Sequence, residues 1–344
     1  MGPQRMEMRL CWRQNVIKNA SHWGQFMRLS QLQDFIAVAE TGSIRAGAKA
    51  RDVSGPAITK SIRLLEEELH VPLLTRTTRG VVLSRYGEAF LRRAQLIASE
   101  ARKATDEMSQ MLGTRNGVVR IGATGGPAHL LLPAVLKRFR SQHPDVQVCI
   151  DSGVYPAHLS DLRAGVMDMA VSPIPDEGIE REFVSEPLYD NDSVVVAHKD
   201  HPLRNARRLR ELVGSEWVLT GQRMHGPGAA ILDAFRELDL PLPRVAVRCD
   251  TIGMIQTLLE DRSLLCLLPR QLVPGQLASA NLVALPIEDP LPSHAVCLIY
   301  RADSPMTPVA EQFATLLRRE VHYLGKQPDS PLRRQVPRAT EMAG

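Results

Sequence analysis

Residues 30–69 read S-Q-L-Q-D-F-I-A-V-A-E-T-G-S-I-R-A-G-A-K-A-R-D-V-S-G-P-A-I-T-K-S-I-R-L-L-E-E-E-L, and this stretch decides the fold of the amino-terminal part of the chain. Leu32, Phe35, Ile36 and Ala39 recur at helical spacing. Gly42 ends that helix and Ser43 is placed to cap the next, a short one in which Ala46, Ala48 and Ala50 permit close packing. After a tight turn Ser54 stands at a second N-cap, Pro56 lies just inside the new helix, and Ile58, Ile62, Leu65 and Leu69 form one apolar stripe. Thr59, Lys60 and Arg63 occupy the opposite face. Two short helices joined by a turn, the second beginning with small and basic residues, meet the demands of insertion into a DNA major groove. A packed helical hairpin that binds no DNA is the plain alternative.

Working outward, T-R-T-T-R-G-V-V-L-S at 75–84 predicts a two-stranded hairpin with Arg76 and Arg79 at its tip. Such a wing suits a narrow minor groove, whose negative potential attracts arginine, whereas a solvated basic turn is its bland counterpart. From Arg85 to Leu112 a helix without proline carries Phe90, Ala94, Ile97, Ala101, Ala104, Met108 and Met111 spaced alternately four and three apart. That is the seam of a coiled-coil dimer, although the same helix could pack on its own head. Two heads on one dimer imply two half-sites, hence an interrupted inverted repeat in double-stranded DNA.

The order of these elements, with L-E-E-E-L-x-V-P-L-L-x-R at 65–76 and S-R-Y-G at 84–87, resembles the LysR-type transcriptional regulators over residues 27–322. The resemblance implies an α/β chain with an all-α-type winged helix-turn-helix head and a two-lobed, periplasmic-binding-protein-like effector domain. It implies DNA contacts from Ser54, Gly55, Pro56, Thr59, Lys60, Arg63, Arg76 and Arg79, a dimer through Phe90, Ala94, Ile97, Ala101, Ala104 and Met108, and RNA polymerase as a further partner. Gly55 stands where many members of the family carry glutamine, so base reading shifts toward Thr59, Lys60 or the wing. Arg51, at a usually apolar position, is assigned to phosphate contact. M-H-G-P-G-A-A-I-L-D-A-F at 224–235 is similar to a subgroup controlling aromatic-compound catabolism.

The domains expected are an extension at 1–26, the head at 27–85, the dimerisation helix at 86–113, the effector domain at 114–323 and a disordered polar tail at 324–344. The extension reads either as a flexible arm or as sequence upstream of a start at Met27. Lobe 1 is assigned residues 114–182 and 266–323, and lobe 2 residues 183–265.

Within the effector domain, strand and helix patterns alternate, so the sheet is expected to be largely parallel with helices on both faces. Ligands of such sheets bind beyond the carboxyl ends of the strands. Thr124, Ser152 and Ser172 stand at such ends. The pocket is assigned to Thr124, Tyr155, Ser172, Thr220, His225 and Gly228, with Ser152 and Asp250 behind them; hydroxyls and helix-terminal amides suit a small organic anion. R-S-L-L-C-L-L-P at 262–269 replaces the family's usual G-x-G-I-x-x-L-P, which puts the hinge geometry there in question.

The 344 residues are 44% hydrophobic with a net charge of +4, a globular composition that does not by itself mark a nucleic-acid binder. Distribution says more: between residues 43 and 85 there are eight basic and four acidic residues. No run approaches the ~20 apolar residues of a membrane span, so a cytoplasmic location is expected. Cys11, Cys149, Cys249, Cys266 and Cys297 form neither a CxxC pair nor a metal-ligand cluster, and no cofactor is expected. A redox sensor using Cys249 or Cys266 remains as an alternative function, and an enzyme or solute-binding protein as a remote one. No phosphate loop, H-E-x-x-H or G-x-S-x-G motif is present.

Overall fold

The computed structural model describes residues 27–77, 80–114, 116–153, 155–175, 178–220, 227–273, 277, 280–327 and 332. The chain divides into two compact units, with the boundary between Arg102 and Lys103.

The first unit opens with α1 (Leu29–Thr41), closed by Gly42 in the left-handed conformation at φ 64°. Ser43 caps α2 (Ile44–Ala50) by accepting the Ala46 N–H. A β-carbon on Gly47 would lie 2.7 Å from Val38 Cγ2 and 3.0 Å from its Cα, so a glycine is what lets α2 lie directly on α1. Ser54 caps α3 (Gly55–Leu69), which buries Ile58, Ile62 and Leu65 as the periodicity requires. Strands β1 (Leu74–Thr77) and β2 (Gly80–Leu83) pair antiparallel, and the Val81 N–H donates to the Gly42 carbonyl, fastening the hairpin to the turn after α1. The Glu66 carboxylate accepts the N–H groups of Leu73 and Leu74, and Glu68 accepts that of Met27. The acidic end of α3 therefore organises the backbone around it.

Helix α4 (Arg85–Met111) follows. Here the expected seam needs correction at its start. Phe90 lies 5.6 Å from Phe35, ring to ring, and Ala94 is fully buried with Leu32, Leu65 and Leu73 in the core of the head. These two residues are absorbed by the head's own core because α4 must cover the apolar edge of α1. Ile97, Ala104 and Met108 are exposed, and Ala101 is half-buried.

The second unit is built on one sheet in the order β4-β3-β5-β11-β6-β9-β7-β8, with β10 also paired to β6. It begins with β3 (Gly117–Ala123), followed by α5 (Gly125–Leu130) and α6 (Leu132–Gln142). A single helix was expected over this segment; it breaks at Leu131, and Pro133 starts the second helix. Then come β4 (Val146–Ser152), α7 (Ala157–Arg163) and β5 (Met169–Pro173). β3 pairs in parallel with β4 and β5.

Two apolar runs after residue 183, separated by the polar D-N-D-S, form one 16-residue strand, β6 (Phe183–His198). Its first part pairs with β11 (Ser293–Arg301) and its last part with β9 (Leu264–Pro269) and β10 (Leu282–Ala284), so β6 passes from one lobe to the other. The rest of lobe 2 is β7 (Glu216–Leu219), α8 (Pro227–Glu237), β8 (Arg244–Arg248) and α9 (Ile252–Leu258), with β7 parallel to β8 and β9. The lobe assignment from sequence is thereby corrected: residues 266–284 belong to lobe 2, and the chain returns to lobe 1 through β11. The run L-L-C-L-L-P is buried on both faces in the middle of lobe 2's sheet, and a uniformly apolar strand carries no mark of which sheet it joins.

Both faces of each lobe are covered. Phe139 and Phe313 meet edge-on at 5.0 Å under lobe 1, where α10 (Pro308–Gly325) packs on α6; Trp217 and Phe235 do the same at 5.9 Å in lobe 2. Of the tail expected from 324, the first two residues close α10 and Leu332 is buried in lobe 1's core, while 328–331 and 333–344 lie outside the described residues.

Gly87, in the first turn of α4, supplies a test of the head's packing, because an added β-carbon would lie 2.1 Å from the Leu73 carbonyl oxygen. Gly87→Ala is expected to destabilise the head by about 1–3 kcal/mol. In chemical denaturation of the full chain the head's transition should move to lower denaturant while that of the effector domain stays in place.

Candidate DNA-binding face and effector cleft

On the head, α3 presents Ser54, Pro56, Ala57, Lys60 and Arg63 to solvent, with Gly55 and Thr59 half-buried. The Ser54 hydroxyl accepts the Ala57 N–H, and Thr59 Oγ1 donates to the Gly55 carbonyl at 2.8 Å. A β-carbon on Gly55 would meet nothing within 4 Å, so packing does not demand glycine there. The missing side chain leaves backbone open at the helix start, where amides suit phosphate oxygens. Arg63 pairs with Glu67 at 3.3 Å, a solvent-exposed contact of the weak kind that a phosphate can replace. Arg76 stands in β1 opposite Val81. Arg79 lies outside the described residues.

Arg51 is corrected from the phosphate role. Its Nε donates to Asp34 Oδ1 at 3.2 Å and its Nη2 to Gln33 Oε1 at 2.7 Å, fastening the end of α2 to α1. The fork of donors that suggested phosphate is engaged by acceptors one helix away.

In the second unit, Thr124 follows β3 and Thr220 follows β7, each at the carboxyl end of a parallel strand, one in each lobe. Their residual exposures are 6% and 9%, and neither hydroxyl oxygen has a hydrogen-bond partner among the described residues. Buried hydroxyls are nearly always paired, so two orphans at strand ends are places where a ligand's polar atoms fit. The lobes approach closely beside Thr124: β-carbons on Gly125 and Gly126 would lie 2.8 Å from Ile252 Cγ1 and 3.3 Å from Pro269 Cγ. The glycine pair that lets the start of α5 meet lobe 2 was not singled out from the sequence, although G-G after a strand was its visible mark.

The remaining pocket assignments separate. Ser172 is completely enclosed, and its hydroxyl donates to the Pro173 carbonyl at 3.2 Å, so it supports the strand end and offers nothing to a ligand. Tyr155 is half-buried and packs with Leu159, Leu162 and Phe183 beneath β5 and β11. Ser152 is exposed at the end of β4, and Asp250 is exposed between β8 and α9. Gly228 falls in the first turn of α8, and His225 lies outside the described residues. Sequence reading also missed Asn191 and Gln271, buried where β6 changes lobes: Gln271 Nε2 donates to the Asp190 carbonyl, while Asn191 Oδ1 and Gln271 Oε1 have no partner among the described residues. The polar run D-N-D-S inside an otherwise apolar strand was the signal for this crossing. Among the described residues no cluster of His, Cys, Asp and Glu is placed to hold a metal, and no helix is long and apolar enough to cross a membrane.

Residues 29–88 match the family described as bacterial regulatory helix-turn-helix protein, lysR family, and residues 112–322 match the LysR substrate binding domain. The chain belongs to the LysR family of transcriptional regulators. It is 30% identical to the HTH-type transcriptional regulator PcaQ of Agrobacterium fabrum, covering 81% of this chain and 90% of that one. It is 27% identical to the HTH-type transcriptional regulator GalR of Pseudomonas putida, covering 85% and 73%. Its fold is similar to that of full-length CbnR complexed with its target DNA, with a TM-score of 0.61 at 22% identity over 86% of this chain and all of that one. The head is thus a DNA-binding domain, and the second unit holds the effector-responsive domain of a transcriptional regulator rather than an enzyme.

The two arginine and lysine roles are separable in solution. Lys60→Ala is expected to weaken DNA binding and lower the slope of log K against log salt by about 0.9, the signature of one lost phosphate contact, with unchanged stability. Arg51→Ala should do the reverse, lowering the head's stability by about 1–3 kcal/mol through the stranded Asp34 acceptor while keeping the salt slope. Anisotropy titrations at several salt concentrations and denaturant melts distinguish the two outcomes.

Proposed function

We propose that this LysR-family regulator acts in the cytoplasm as a dimer, or a pair of dimers, on an interrupted inverted repeat, and that a small organic anion bound between the lobes changes the spacing of its heads and thereby its dealings with RNA polymerase. The observation that carries the effector reading is the pair of buried, unpartnered hydroxyls of Thr124 and Thr220 at strand ends in opposite lobes. An anion accepting from both would join the lobes and favour a closed arrangement, and it can shift the assembly only by binding that arrangement more tightly. A thermal-shift screen with aromatic and aliphatic carboxylates and sulfonates tests this, since a ligand at a hundredfold excess over its Kd adds about 2.7 kcal/mol to apparent stability.

The redox alternative is disfavoured by geometry. Val218 of β7 pairs with Cys266 on one side and Val247 on the other, and Cys249 lies beyond Val247. Two strand spacings, about 10 Å, exceed the ~7 Å limit between α-carbons in a disulfide. Burial also pushes the Cys266 thiol pKa well up, leaving little thiolate to react.

Dimerisation is assigned to the part of the α4 seam that the head does not consume, Ile97, Ala101, Ala104 and Met108. Ile97→Asp should place a carboxylate against its symmetry mate in an apolar contact and shift sedimentation toward monomer. Undiminished dimer would remove this strip from the interface. For the cleft, Thr124→Val and Thr220→Val delete hydroxyls that make no hydrogen bond among the described residues, so each is expected to leave thermal stability equal or slightly higher without ligand. Each should also weaken the effector identified by the screen about tenfold or more, a loss of roughly 1.5–3 kcal/mol, with operator binding retained. Wild-type effector affinity in both variants, measured by calorimetry, would move the site elsewhere.

A further inference from the structure

The end of helix α4 is tied to the effector domain by a buried charge. Lys103 Nζ lies 3.7 Å from Asp168 Oδ1, with side-chain exposures of 9% and 5%. The same ammonium donates to Ser304 Oγ at 3.3 Å, in the segment between β11 and α10. Asp168 in turn is locked to β3: its Oδ2 accepts the Arg120 N–H at 2.8 Å, and its own N–H donates to the Arg120 carbonyl at 2.9 Å. Two turns further along the same face of α4, Gln110 Oε1 accepts the Val309 N–H and Gln110 Nε2 donates to the Asn116 carbonyl, each at 3.2 Å. Apolar contacts along a helix tolerate a small slide. A buried ammonium tolerates less, because displacement lengthens its contacts to Asp168 and Ser304 where little water can replace them.

The strands that hold this anchor also end at the candidate effector site. β5 starts one residue after Asp168, is buried from Met169 to Ser172, and about 10 Å from Asp168 its Val171 carbonyl accepts the Thr124 N–H. β3 runs beside it from the Arg120 backbone to Thr124. We infer that the Lys103–Asp168 pair is a positioning device that sets one register of the linker helix on the effector domain and transmits strain at the cleft ends of β3 and β5 into α4. This rests on the reading of the chain as a dimer whose head spacing matters. The exposed strip of Ile97, Ala104 and Met108 lies on a different face of α4 from Lys103 and Gln110, so anchoring and pairing do not compete.

The test uses the full chain and a DNA library in which two randomised half-sites are separated by spacers of varied length. Lys103→Met with Asp168→Asn removes both charges and keeps an acceptor for the Arg120 N–H, whereas either change alone takes away one side of the ion pair and leaves the other charge buried. Both single variants should therefore melt lower than the double variant. Wild type is expected to select a narrow range of spacers; the folded double variant should bind a single half-site as well as wild type but select a clearly broader range. Wild-type spacing selectivity in the folded double variant would reduce the pair to a packing element and overturn the inference. Gln110→Ala, which releases the second anchor without burying a charge, should broaden spacing in the same direction, and unchanged spacing there overturns the inference if the double variant does not fold. A wild-type protein that selects no paired half-sites overturns the dimeric reading, and this coupling with it.

Discussion

Strand β6 is the constraint on which the effector domain depends. It is shared by both lobes: as far as Asp192 it pairs with β11, and from Ser193 with β9, while its last residues pair with β10. A strand that is continuous through two half-sheets cannot be removed from either, so the lobes fold as one unit and can move only by flexing where the pairing changes. That point is marked by Asn191, Ser193 and Gln271, polar groups buried in the middle of an otherwise apolar sheet. Apolar side chains would have cost less to bury there; polar ones leave the crossing less tightly packed and richer in hydrogen-bonding capacity.

Buried and half-buried polar groups in this protein divide by whether they are paired. Glu66 holds the backbone between α3 and β1, Arg51 joins α2 to α1, and Asp168 joins β3 to the linker. These are satisfied inside the chain and act as fasteners. Thr124 and Thr220 are buried without partners among the described residues, each at the end of a parallel strand. On the proposed reading, a ligand that supplies the missing partner recovers the cost of burying such a hydroxyl.

Helix α4 serves several surfaces with different chemistry. Its first turns complete the core of the head through Phe90 and Ala94, its last turns carry the polar anchors Lys103 and Gln110, and an apolar strip between and beside them is left exposed.

Periodicity, caps and turn residues determined by themselves the two helices of the head, its wing, the long linker helix and the strand–helix alternation that follows, because these patterns are local and each residue's neighbours in sequence are also its neighbours in space. Ser43, Ser54, Gly42 and Pro56 could be placed from their types alone for that reason. Thr124 and Thr220 were legible as strand-end hydroxyls, whereas Ser172, of the same type and position, proved to be enclosed, since exposure depends on what packs above a strand and not on the strand. Only the tertiary structure decided that Arg51 meets Asp34, that Phe90 and Ala94 belong to the head's core, that β6 is one strand, and that residues 266–284 lie in lobe 2. Each of these is a pairing between segments far apart in sequence, and an apolar run or a lone arginine carries no record of its partner until the chain has closed around it.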